Sequence, residues 1–153
     1  MSPAEIQAMW ILGLLTIEQV DAIATEWLEA GWDSPAIREL AWKQSTWRET
    51  TGVFAQAIVD LGLPPMSVPE AQMLLTLHTA QEVLADRLAP LDSAAKIYWN
   101  YWESWGRESI PAFVWELYGL LLSSDPDEDC LMPLDEIDAG IRSILATLVA
   151  VER

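Results

Sequence analysis

Apolar residues recur along this chain at intervals of three and four positions, the spacing of one face of an α-helix. The clearest series runs at intervals of 4, 3, 4 and 3 residues: Trp47, Thr51, Phe54, Ile58 and Leu61. No stretch alternates apolar and polar residues with the β-branched content of a strand, and no Asn-Gly or Asp-Gly turn occurs. The pattern predicts an all-α protein of about seven or eight helices.

Residues that typically begin and end helices separate the apolar series from one another. Ser2 with Glu5 forms a capping box for a first helix, and Gly13 ends that helix. Thr16 caps a second helix, which Gly31 ends. The short connections between such segments predict that successive helices pack antiparallel.

The longest predicted helix runs from about Pro69 to Ala89, and Pro90 ends it. We expect five apolar residues to face inward from it: Met73, Leu77, Ala80, Leu84 and Leu88. Before it, Pro64-Pro65 is the strongest interruption in the chain. The length of 153 residues suits one domain with a substantial core. We therefore predict a single compact bundle over 1–153, with Pro64-Pro65 as the place for any subdivision.

Charge adds a second property to this apolar pattern. The chain has 24 Asp and Glu against 8 Lys and Arg, a net charge of −16, while 52% of its residues are hydrophobic and nine are Trp. Because the chain has enough apolar residues to form a core, we expect its Asp and Glu side chains to lie on the surface of a folded protein. A negative field repels nucleic acid and anionic membranes and attracts basic proteins. We predict a protein partner and neither a nucleic acid nor a membrane.

Residues that carry chemistry are scarce. His78 and Cys130 are the only His and Cys, so the three or four nitrogen and sulfur ligands of a zinc site are missing. Carboxylates around Cys130 would raise the pKa of a thiol, which opposes nucleophilic reactivity. We expect no enzyme activity, no cofactor and no metal. A lone cysteine and an N-terminus without a basic n-region predict a soluble cytoplasmic protein.

The densest charge is an acidic run of seven carboxylates in 14 residues: Asp125, Asp127, Glu128, Asp129, Asp135, Glu136 and Asp138. It has three interpretations. The run can be a solvated loop that leads into a helix N-terminus, where the dipole favours acids. It can be a calcium loop, although the Gly is missing and Pro133 disrupts the spacing. It can also be a docking site for Lys and Arg of a partner, formed by the first six of these residues.

Two tryptophans lie off the apolar stripe of their helices. Trp99 shares a face with charged residues such as Lys96 and Glu103, and Trp42 lies beside Lys43. An exposed Trp among charges is a candidate hot spot for protein binding. The alternative is burial under neighbouring helices. We select Trp99 as the aromatic anchor of the predicted docking site.

The segment WLEAGWDSPAIRELA, Trp27 to Ala41, resembles a pattern of small acidic helical proteins of bacteria. There a helix ends in Gly, an Asp-Ser-Pro cap follows, and an Arg-Glu-Leu-Ala helix begins. The resemblance continues in VFAQAIVDLGLP, Val53 to Pro64, and more loosely in LAPLDSAAKIYW, Leu88 to Trp99. These proteins are similar to the immunity partners of polymorphic or contact-dependent toxins. The chain departs from the pattern at Trp42 and in the Trp-rich segment after Trp99.

The resemblance and the charge together suggest a non-enzymatic immunity protein that neutralises a cognate, basic toxin domain. Toxins that act on nucleic acid carry Lys and Arg for the phosphates, and an acidic protein can cover that surface. Two alternatives stay open. One is an acidic adaptor or scaffold subunit with no toxin partner, and the other is an enzyme whose carboxylates meet only in three dimensions.

Overall fold

A computed structural model of the chain describes residues 1–42, 47–104, 110–124 and 132–151. Over these residues the chain forms eight helices and no strand, which confirms the all-α prediction. The helices are α1 (Pro3–Ile11), α2 (Ile17–Glu29), α3 (Pro35–Trp42), α4 (Trp47–Asp60), α5 (Val68–Leu84), α6 (Pro90–Ser104), α7 (Ala112–Leu122) and α8 (Leu134–Val151). None of them is both long enough and apolar enough to cross a membrane.

Contacts between residues divide the chain into two compact units, Met1–Ala71 and Gln72–Arg153. The first unit contains α1 to α4 and the second contains α6 to α8, while α5 begins in the first and continues in the second. The division falls shortly after the Pro64-Pro65 break. The interpretation of the whole chain as one domain stays a prediction.

The first two helices begin and end where the sequence predicts. The hydroxyl of Ser2 accepts a hydrogen bond from the Glu5 amide while the Glu5 carboxylate accepts one from the Ser2 amide, and Thr16 makes the same box with Gln19. These bonds satisfy amides that the first turn of a helix leaves without a backbone partner. Gly31 has a φ of +87°, a left-handed conformation that lets the chain turn out of α2.

All four helices α1 to α4 contribute to the core of the first unit. Its largest aromatic group is built around Phe54, whose ring stacks on Trp10 with centroids 4.3 Å apart and lies 6.2 Å from Trp27. Trp32 folds back on the last turn of α2, where its ring centroid is 6.4 Å from that of Trp27. The fully or nearly buried members are Ile6, Leu15, Val20, Ala24, Trp27, Ala36, Ile37, Leu40, Phe54, Ala57 and Ile58.

The second unit packs α6, α7 and α8 around a separate core. Two polar contacts attach the α5 segment to it: the Gln72 side chain donates to the Asn100 carbonyl at 3.1 Å, and Arg142 donates to the Val83 carbonyl at 2.7 Å. Its core members are Ala80, Val83, Ala94, Ile97, Tyr98, Tyr101, Ile110, Val114, Leu117, Ile137, Ile141, Leu145 and Val149.

The predicted end of the helix that begins near Pro69 is wrong. α5 stops at Leu84, Asp86 adopts a left-handed φ of +57°, and Pro90 begins α6. Proline suits a first helical position because its missing N–H has no helical partner there. The chain thus turns between two helices, and Leu84 and Leu88 are 36% and 45% exposed, contrary to expectation.

The inward face of α5 agrees with the predicted one at Ala80, which is buried, and differs elsewhere. Apart from Ala71, its buried positions follow the spacing of 4, 4 and 3 residues and include two polar side chains: Gln72, Thr76, Ala80 and Val83. Pattern reading from apolar residues alone passed over this face because Gln72 and Thr76 interrupt it. Tertiary hydrogen bonds compensate their burial, since Gln72 bonds Asn100 and Thr76 bonds Tyr101.

Candidate functional site

The acidic surplus lies on the surface of both units. Among the described residues no Asp or Glu is buried, and the cores are apolar apart from a few uncharged polar side chains. This placement follows from the cost of removing a carboxylate from water, which far exceeds the gain from burying its short apolar stem.

Several surface arginines are already paired with carboxylates of their own unit. Arg87 makes two bonds to Glu82, at 2.7 and 2.6 Å, and Arg38 makes a two-pronged contact with Asp33. Arg142 lies 2.7 Å from Asp86. These contacts use positive charge within the chain, so the field at the remaining surface is strongly negative.

Local hydrogen bonds keep individual carboxylates ionised. The Ser67 hydroxyl and amide lower the pKa of Glu70, and the hydrogen bond from Arg87 lowers the pKa of Glu82, to which His78 adds a small attraction. At Glu18 the backbone amide and then the Thr16 hydroxyl lower the pKa. Because each bond stabilises the charged form, the surface keeps its negative charge at mildly acidic pH.

The predicted acidic docking site is only partly described. Asp125, Asp127, Glu128 and Asp129 lie outside the described residues. Asp135 and Glu136 are exposed in the first turn of α8, where the helix dipole favours acids. The Met132 amide donates to the Ser123 carbonyl at 3.2 Å, so the start of α8 lies beside the end of α7.

Trp99, the predicted anchor, is 54% exposed on α6, and Trp42 at the end of α3 is 84% exposed. The Trp99 ring meets Tyr98 edge-on with centroids 5.3 Å apart. One side of the indole is thus held by a buried tyrosine while the other side faces solvent. This geometry is suited to binding, because little side-chain freedom remains to be lost.

The structure adds Trp115, which the sequence reading did not select. Trp115 is 38% exposed on α7, and its ring lies edge-on to Trp102 at 6.4 Å and to Tyr118 at 6.0 Å. Tyr118 in turn stacks on Tyr98 at 4.5 Å. Aromatic rings of α6 and α7 therefore form one connected group, with Trp99 and Trp115 as its exposed members.

A signal for Trp115 was present in the sequence. The exposed uncharged positions of α7 follow helical spacing of 3, 4 and 3 residues: Ala112, Trp115, Gly119 and Leu122. This series can be found in the sequence but cannot be told there from a second buried face, because apolar residues surround it on α7 and Glu116 is the helix's one charged residue.

The first unit has two shallow surface grooves. One, of about 760 Å³, lies beside Trp42 and is lined by Leu28, Asp33 and Arg38 among others. The second, of about 440 Å³, includes Trp32 and Asp60. The Ser34 hydroxyl and then the Gln56 amide lower the pKa of Asp60. Both grooves are open surfaces in which the carboxylates already have protein partners.

No reactive constellation emerges from the part of the chain that the structure describes. No three His, Cys, Asp or Glu side chains there are placed to hold a metal ion. His78 is exposed on α5, and Cys130 lies outside the described residues. The expectations of no cofactor, no metal and no enzyme activity stay predictions.

No protein family, no curated protein sequence and no solved structure matches this chain. The function must therefore be argued from its own residues.

Proposed function

We propose that this protein is a non-enzymatic inhibitor that binds a basic protein toxin domain, in the manner of a bacterial immunity protein. The observation that supports the proposal most is that the carboxylates lie on the surface and the cores contain none among the described residues. The net charge is −16, and every described carboxylate lies at least partly in solvent on a helical body. Such a surface favours a partner of the opposite sign.

Nucleases and other toxins that act on nucleic acid make a complementary partner. They need Lys and Arg to hold phosphates, and the same side chains are attracted to an acidic inhibitor. Electrostatic steering raises association rates well above the neutral value, which matters for a protein that must capture a toxin before it acts. The proposal places this encounter in the cytoplasm, where a lone cysteine stays reduced.

The proposed contact surface belongs to the second unit. It combines the acids Asp125, Asp127, Glu128, Asp129, Asp135 and Glu136 with Trp99 as the aromatic anchor. The exposure of Asp135, Glu136 and Trp99 supports this choice. Charge would set the association rate and the indole would slow dissociation.

The decisive test uses a toxin encoded beside this protein. Co-expression is expected to restore growth, and the complex is expected to weaken with added salt through slower association. Changing Asp127→Asn, Glu128→Gln and Asp129→Asn together is expected to slow association while the melting temperature hardly changes. Stopped-flow binding and thermal denaturation measure the two effects.

A matched control neutralises three exposed acids of α2 in the first unit, Glu18, Glu26 and Glu29, each to Gln. If this variant slows association as much as the acidic-run variant does, the run is not the contact surface. Stable binding without rescue of growth would indicate an acidic adaptor instead of an immunity protein. Absence of binding to any neighbouring gene product would contradict the proposal.

A further inference from the structure

The helix α7 consists almost entirely of apolar residues, and its one charged residue, Glu116, lies on the solvent side. A helix of this kind is normally buried on all sides. Val114 and Leu117 are indeed buried, yet the opposite face is open to solvent. We call Ala112, Trp115, Gly119 and Leu122 the open face of α7. An apolar face of this length on the surface indicates a binding site.

The Trp115 ring of the open face contacts the aromatic rings of α6. Trp115 lies edge-on to Trp102, and Tyr98 connects Trp102, stacked at 5.6 Å, to Trp99. The two exposed indoles are thus fixed by rings beneath them before any partner arrives. Rigid aromatic residues lose little conformational entropy on binding and are enriched at interface hot spots.

Small residues make the open face accessible to another element. A Cβ added at Gly119 would meet no atom within 4 Å, so the space above this position is empty. Ala112, one turn before Trp115, is exposed as well. A partner helix or loop can therefore approach the α7 backbone closely on either side of the Trp115 indole.

Charge decides which occupant suits this face. Two copies of the chain would each bring a charge of −16, which opposes self-association. Exposed carboxylates are available to receive cations on both helices: Glu103 is one turn after Trp99, and Glu116 is one turn before Gly119. Because Lys96 is exposed one turn before Trp99, the side of this indole that suits a cation is the side of Glu103. Arginine satisfies both features, because its guanidinium pairs with carboxylates and stacks on indole rings.

We propose that the open face of α7 and the adjoining Trp99 bind a basic amphipathic segment of a partner protein, with apolar side chains beside Gly119 and arginines against Trp99 and Trp115. The inference rests on the proposed function for the identity of the partner. It places the centre of the interface at the aromatic surface of α6 and α7 instead of the acidic run. The acidic run then serves to attract the basic partner during association.

The test measures binding of a synthetic amphipathic Leu/Arg helix to the full chain by calorimetry. Two matched peptides replace Arg by Glu or Leu by Ser. Gly119→Arg is the blocking variant, because a long side chain there fills the open face without entering the core. Gly119→Ala controls for the added Cβ. Ala55→Arg adds the same charge at an exposed position of α4 in the first unit.

We expect the Leu/Arg helix to bind and both matched peptides to bind much more weakly. Gly119→Arg should raise the Kd about tenfold or more, whereas Gly119→Ala and Ala55→Arg should leave it nearly unchanged. Equal effects of Gly119→Arg and Ala55→Arg, or no binding of the Leu/Arg helix, would overturn the proposal. A dimer that Gly119→Arg converts to a monomer would overturn it too, by making a second copy the occupant.

The two proposals can fail separately. If Gly119→Arg prevents peptide binding but the unmodified protein neutralises no neighbouring toxin, the binding surface is supported and the immunity function is contradicted. If Gly119→Arg still neutralises a cognate toxin as well as the unmodified protein does, the function stands and this surface falls.

Discussion

At the scale of single residues, some of the described tryptophans lie in a core and others on the surface, a difference that residue type alone does not reveal. Trp27 is 4% exposed and packs against Phe54, whereas Trp99 has more than half of its surface in solvent. The first group stabilises the fold because removing a buried ring leaves a cavity. The second group leaves apolar area in water, which only a partner could cover.

Alanine substitution should separate these groups. Trp99→Ala is expected to lower the free energy of unfolding by about 0.5–1.5 kcal/mol, the value of its edge contact with Tyr98. Trp27→Ala is expected to cost about 3–5 kcal/mol, as for other core aromatic truncations. Urea denaturation measures both. Similar losses for the two variants would place Trp99 in the core and remove it from any docking surface.

Tyr101 gives a second prediction at this scale. Burial raises the pKa of its phenol, and a hydrogen bond with Thr76 offsets this in part. The unfolded chain releases this proton near the ordinary pKa of about 10, and the folded chain only at higher pH. The contribution of the protonated Tyr101 to the free energy of unfolding is therefore fully present below about pH 10. It is lost as the pH rises toward the pKa that this phenol has in the folded protein.

Tyr101→Phe should flatten the fall of unfolding free energy above about pH 10, because the variant has no proton to lose at this position. The T-shaped contact with Phe113 at 5.8 Å should keep the ring in place. Urea denaturation across this pH range measures the slope. Identical slopes in the two proteins would contradict the assignment.

At the scale of elements, local caps position the helices, but neighbouring helices decide which faces are covered. The comparison of α7 and α8 shows this. Gly119 on α7 has open space at its Cβ position, while Gly140 on α8 has the methyl carbons of Leu120 at 3.0 and 3.2 Å. Two helical glycines thus have opposite surroundings: the position of Gly119 is open, and Gly140 lets α7 pack closely.

These glycines should respond in opposite directions to a larger side chain. Gly119→Ala is expected to raise the free energy of unfolding by up to about 1 kcal/mol, the difference in helix propensity. Gly140→Leu is expected to lower it by about 1–3 kcal/mol, because Leu120 must move. Thermal and urea unfolding of both variants test this. A stabilised Gly140→Leu would show that α7 and α8 are not packed as described.

At the scale of the whole molecule, the dominant property is the charge of −16 on an apolar framework. Carboxylates of one sign repel one another in the folded state, so part of the free energy of packing offsets self-repulsion. The same charge supplies long-range attraction to a basic partner. Fold stability and partner binding should therefore depend on ionic strength with opposite signs.

Salt should raise the melting temperature of the free protein and weaken the complex with a basic partner. Screening shortens the range of both repulsion and attraction, from about 30 Å at 0.01 M to about 3 Å at 1 M ionic strength. Differential scanning calorimetry and binding kinetics over the same salt series measure the pair. A melting temperature that falls with salt would show that internal ion pairs outweigh the surface repulsion.

The sequence by itself determined the all-α class, the helix caps and the surface position of the Asp and Glu side chains. Ser2, Thr16 and Gly31 act within a few residues of themselves, so their roles can be read without a fold. The charge distribution followed as well, since carboxylates resist burial in any fold. These properties depend on local backbone geometry and solvation.

Only the tertiary structure decided which apolar faces are covered. The face of α5 that holds Gln72 and Thr76 is buried because Asn100 and Tyr101 supply hydrogen bonds from α6. α7 could not be divided into inner and outer faces from its sequence, because Glu116 is its one charged residue among residues that are nearly all apolar. Burial depends on residues distant along the chain, and for that reason the exposure of Trp115 emerged only from the packed helices.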